Sequence, residues 1–282
     1  MALQEKTVDV NGLTWFYREA EPMNPSDKPV VILLHGLPSQ SYSWRNVMLA
    51  LAEQGLRAIA PDWIGFGYSV KPDRRMFAYT PEAYITGLGQ LLDALQLEQV
   101  SIVAQGFVGS AGVQYALLNR DRVERLALFN TPAWAGAKLP WKMQQFGIPL
   151  VGEMLTQDPL LVDRTLEGGG GYVVEDADLD VYRRPFLKSS DAGRALFTLV
   201  RQLQVPKVAA EIEAGLTNWE KPLLMGWGDR DPWLPSDQAE AAAKAYPQAE
   251  FTKFEEVGHY PQEDWHEKVN EVLIPFLRRQ LT

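Results

Sequence analysis

The sequence predicts an α/β fold: a mostly parallel β-sheet flanked by helices, with a helical segment inserted before the last strands. Three observations carry this. Short apolar runs ending in glycine recur along the chain, helical patterns separate them, and one stretch of about 80 residues lacks any such run. Continuous apolar runs suit strands covered on both faces, and strands alternating with helices imply parallel crossovers.

The first element departs from that rule. "TVDVNGLTWFYREA" alternates apolar and polar residues around Asn11-Gly12, the pattern of two antiparallel strands joined by a two-residue turn. "PVVILLHG" is the first buried-strand run. "SWRNVMLALAEQG" follows with helical spacing, then the run "LRAIAPDWIGFG", the helix "PEAYITGLGQLLDALQL" and the run "QVSIVAQG". "RVERLALFN" continues the series, and "KPLLMGWG" and "AEFTKFEEVG" close it. Between them, residues 133–212 hold aromatic and apolar helical patches, the glycine run from Gly168 to Gly171 and the acidic "VEDADLD". We read 1–132 and 213–282 as the core and 133–212 as an inserted helical cap, with the glycine run as a flexible turn.

Composition narrows the function classes. The 282 residues are 46% hydrophobic and 22% charged, with a net charge of −9, so a phosphate-binding surface for nucleic acid is not expected. There is no cysteine, which removes disulfides, thiolate nucleophiles and cysteine-ligated metals. The three histidines show no metal-ligand spacing, and neither a metal nor a cofactor is expected. No apolar run approaches the ~18 residues of a membrane span, and no basic-then-apolar leader opens the chain; a cytoplasmic protein without membrane contact is expected. Oligomeric state is not readable from these features.

In a parallel sheet, ligands sit at the C-terminal ends of the strands. Those ends supply His35-Gly36-Leu37-Pro38, Asp62, Gly106, Asn130, Asp229-Arg230-Asp231 and Gly258-His259-Tyr260. A strand-turn-helix of small residues, then an acid, then a histidine is the chain order of the hydrolytic triad on an α/β sheet. "HGLPSQSYSWRN", "PDWIGFGYSVKP", "VAQGFVGSAG", "GDRDPW" and "VGHYPQED" together resemble the haloalkane dehalogenase and epoxide hydrolase branch of the α/β-hydrolase fold, over nearly the whole chain.

That resemblance implies an acid at Asp231, a base at His259, an oxyanion hole at the backbone N–H groups of Leu37 and Phe107, and a nucleophilic aspartate where this chain has Gly106. The asparagine and tryptophan with which dehalogenases hold halide correspond to Leu37 and Phe107, whose side chains donate no hydrogen bond. Ordinary covalent hydrolysis is therefore not expected. Ser110, in a near match to G-x-S-x-G, is an alternative nucleophile only if the strand ran on through Gly106.

Three functions remain open: His259-Asp231 general-base chemistry on a small apolar substrate without a covalent intermediate; a catalytically silent protein that binds a ligand or partner; and a hydrolase whose aspartate was replaced by Gly106, which codon 106 of the natural gene would decide. Trp134, Trp141, Tyr172, Tyr182 and Trp233 are the candidate pocket residues. His35 is expected to brace the oxyanion loop, Asp62 to anchor its own loop, and Asp229 to cap a turn.

Overall fold

The computed structural model describes residues 2–158, 160–170 and 172–280. Eight strands form one sheet in the order β1-β2-β4-β3-β5-β6-β7-β8. β1 (Gln4–Val10) and β2 (Leu13–Ala20) pair antiparallel, with Val10 opposite Leu13. Asn11 and Gly12 both take positive φ, as the two-residue turn requires. β2 also runs antiparallel to β4 (Ala58–Pro61). β3 (Val30–Leu34), β4, β5 (Val100–Gln105), β6 (Val123–Phe129), β7 (Leu223–Gly228) and β8 (Ala249–Phe254) are parallel to their neighbours.

Between the strands lie α1 (Arg45–Glu53), α2 (Pro81–Ala94) and α3 (Gly106–Leu118). The stretch between β6 and β7 carries α4 (Trp141–Gln144), α5 (Val151–Leu155), α6 (Leu161–Gly170), α7 (Asp176–Lys188), α8 (Ser190–Gln202) and α9 (Val205–Thr217). α10 (Ser236–Ala243) follows β7, and α11 (Pro261–Asp264) and α12 (His266–Arg278) follow β8.

Alternate residues of the central strands feed two cores, which is why their sequences are apolar throughout. Ile32, Leu34, Ile102 and Ala104 face the core shared with α2, α3 and α9. Val31, Leu33 and Val103 face the core shared with α1 and α12. α3 lies close against the sheet because Gly112 has no side chain: a Cβ there would stand 2.2 Å from Leu34 Cδ1. The expected boundary at 212 falls inside α9, whose Ile212 and Leu216 are in the main core and whose Glu211 accepts a hydrogen bond from Gln114 of α3.

The glycine run is not a flexible turn in its described part. Gly168, Gly169 and Gly170 are the last turn of α6, and Gly169 and Gly170 are packed against the loop that carries His259; Gly171 lies outside the described residues. A Cβ on Gly258 would meet the carbonyl oxygens of Gly169 and Gly170 at 2.3 Å, so only backbone fits on both sides of this contact.

Candidate active site

The C-terminal ends of β3, β5, β6, β7 and β8 converge. Gln105 closes β5 with extended backbone, and Gly106 opens α3 at φ +71°. Glycine adopts that conformation freely, whereas a residue with a side chain is strained there. A Cβ built on Gly106 would stand 3.0 Å from Gly36 Cα and 3.4 Å from His259 Nε2. A side chain at position 106 would therefore start within contact distance of the His259 imidazole. Ser110 sits inside α3, its hydroxyl bonded to the Phe107 carbonyl at 2.6 Å, and does not reach this point as a nucleophile.

His259 and Asp231 meet. The imidazole Nδ1–H donates to Asp231 Oδ2 at 2.8 Å, with both side chains fully buried. Asp231 also accepts from Asn130 Nδ2 at 2.7 Å, Trp233 N–H at 2.8 Å and Leu234 N–H at 3.1 Å. Four donors converge on this carboxylate, and the bond to Asp231 keeps the proton of a neutral imidazole on Nδ1. The lone pair is then on Nε2, which is buried and has no partner. Asp229 is elsewhere, accepting the Glu256 N–H in an exposed turn.

Three groups that hold this arrangement had no role assigned from sequence. Asn130, itself at φ 45°, accepts the Gly228 N–H on Oδ1, which orients its amide so that the nitrogen faces Asp231. Gln105 accepts the Gly36 N–H and donates to the His259 carbonyl at 2.7 Å, tying the β3 loop to the base loop. The Tyr260 hydroxyl donates to the Leu37 carbonyl at 2.6 Å. Gln105 immediately precedes Gly106, a position that could have drawn attention; the other two depend on tertiary approach.

His35 braces the same loop. Its Nδ1–H donates to the Gly36 carbonyl and its Nε2 accepts the Trp63 N–H, while burial holds its pKa below the usual histidine value. Asp62 accepts the N–H groups of Ser41 and Tyr68, both at 2.7 Å, and is a loop anchor. The Phe107 N–H lies in the first turn of α3 and has no intrahelical acceptor. Leu37, the other expected oxyanion residue, follows Gly36, whose Cα would lie 3.0 Å from a Cβ on Gly106.

Aromatic rings enclose the imidazole: Phe107 stacks at 5.4 Å between centroids, Tyr260 meets it edge-on at 5.0 Å and Trp233 is tilted at 4.7 Å. Trp233 also lines a cavity of about 270 Å³ with Met143, Phe146, Leu155 and Leu161 of the inserted helices. Lys142, Arg164 and Asp158 bring charge to it.

The other four expected pocket residues are placed differently. Trp134 is core, packed on Trp227 and bonded to Gln238. Trp141 is 63% exposed and Tyr172 46% exposed, on outward faces of the inserted segment. Tyr182 is buried, but its hydroxyl donates to Glu263, within a network in which Arg45 bridges Glu263 and Asp178. Nothing in the local sequence around these residues fixes where their side chains point.

A family model described as the alpha/beta hydrolase fold matches residues 29–165. A haloalkane dehalogenase of Psychrobacter cryohalolentis is 30% identical over 90% of this chain and 84% of its own. A cis-3-alkyl-4-alkyloxetan-2-one decarboxylase of Xanthomonas campestris pv. campestris is 28% identical over 97% and 94%. The crystal structure of a haloalkane dehalogenase from Bradyrhizobium elkanii superposes with a TM-score of 0.85 at 26% identity, covering 98% of both chains.

Proposed function

This chain belongs to the α/β-hydrolase family and is related to its haloalkane dehalogenases, and on that premise we propose that it acts by general-base chemistry at His259 without forming a covalent intermediate. The observation that carries this reading is the unpartnered Nε2 of His259, facing the α-carbon of Gly106 across the space an aspartate side chain would fill. A water held there gives its proton to Nε2 as it attacks a carbonyl carbon. Asp231 stabilises the imidazolium that forms, and the N–H groups of Leu37 and Phe107 receive the oxygen on which negative charge develops.

A carbonyl substrate suits these donors better than a haloalkane, because neither Leu37 nor Phe107 offers a side-chain donor to a departing halide. An oxetan-2-one is a four-membered lactone, so the name of the Xanthomonas relative supports testing lactones first. The substrate is small and apolar, as the cavity beside Trp233 suggests, and the helices over it act as its cap. A second reading, ligand binding without turnover, draws support from the closure of the imidazole by three aromatic rings.

Turnover of lactones, esters, epoxides and haloalkanes by the protein, by His259→Ala and by Gly106→Asp separates the two. General-base action requires turnover by the unmodified protein and a loss of roughly 10²-fold or more in His259→Ala. Activity in Gly106→Asp alone would leave binding as the function.

A further inference from the structure

The turn from β5 into α3 carries no side chain at Gly106. His259 Nε2 is fully buried, without a partner, and directed at this point. Independently, the point lies at the N-terminus of α3, a helix of 13 residues whose first N–H groups are free, and such a terminus favours an anion. Trp233 places an aromatic wall 4.7 Å from the imidazole and continues as the wall of the apolar cavity.

We propose that this is a binding site for an alkyl carboxylate. Its head group stands where the aspartate's carboxyl would be, bonded to His259 Nε2 and to the N–H groups of Leu37 and Phe107, and its tail runs past Trp233 toward Met143, Phe146 and Leu161. One proton lies between acid and imidazole whichever of them arrives carrying it, so the contact is a charge-assisted hydrogen bond and not an unpaired buried charge. Acetate alone fills the head site; a longer chain adds contact with the cavity. The proposal names the ligand class of the site on which the general-base reading rests, but it does not require turnover.

Calorimetric titration of the full chain with acetate, butanoate and hexanoate, beside hexanamide as the neutral match, tests it. Hexanoate should bind at least tenfold more tightly than hexanamide, with a gain of up to roughly fourfold for each methylene that becomes buried. Gly106→Asp, whose own carboxylate takes the head site, should weaken hexanoate at least tenfold, and His259→Gln should weaken it similarly. Equal affinity for acid and amide overturns the proposal, and so does hexanoate affinity unchanged by Gly106→Asp. The comparison of acid with amide uses the unmodified protein, so it stands whether or not the variants fold. Binding of hexanoate without turnover of any substrate would refute the base reading alone; turnover without hexanoate binding would refute this proposal alone.

Discussion

Gly106 carries two opposed consequences. Its φ of +71° is one that glycine takes without strain, and a methyl group there would press on Gly36 Cα at 3.0 Å. Gly106→Ala should therefore lower stability by about 1 to 3 kcal/mol in urea unfolding, although alanine is ordinarily the more stabilising residue in a chain. Asp264 offers a second test at this scale. It accepts the Gly258 N–H at 2.8 Å, and burial pushes its carboxyl up to about 7. The folded protein then holds a proton that the unfolded chain releases above about pH 4. The resulting stabilisation is complete below that pH and is lost as pH rises through about 7. Asp264→Asn keeps an acceptor for Gly258 and removes the titration. Its stability relative to the original protein should increase from pH 5 to pH 8, by at most about 3 kcal/mol. A constant difference across that range would show that burial does not hold the proton on Asp264.

Among the elements, the contact between α6 and the β8 loop decides how the site is closed. The His259 N–H donates to the Gly169 carbonyl at 2.8 Å, and a Cβ on Gly169 would meet the Trp233 ring at 2.4 Å and Tyr260 at 2.8 Å. Gly169→Ala should thus displace Trp233 from the imidazole and lower affinity for any ligand in the cavity, while unfolding remains cooperative; titration and near-UV dichroism report the two effects. The strands were legible in the sequence because β3 to β7 are covered on both faces and read as unbroken apolar runs. The glycine run was not. Glycine marks a turn and a close backbone approach equally, and only the docking of α6 against Gly258 distinguishes them. Tyr182 illustrates the same limit, since nothing in its spacing says where it points, and the approach of Glu263 from α11 fixed its hydroxyl.

For the molecule as a whole, strand ends and the family resemblance together pointed to Asp231 and His259, which the structure brings into contact because the fold gathers successive strand ends at one edge of the sheet. Asn130 and Gln105 were given no role because their hydrogen bonds span 69 to 154 residues of sequence, and no local pattern encodes such partners. No helix among the described residues is long and apolar enough to cross a membrane, and the net charge is −9. The central claim is that His259 performs chemistry without a nucleophile beside it. It is tested most directly by the ratio of lactone turnover between the protein and a folded His259→Ala variant, measured at equal concentration. The account expects the variant to be slower by roughly 10²-fold or more; equal rates, or no turnover by the unmodified protein, would contradict it.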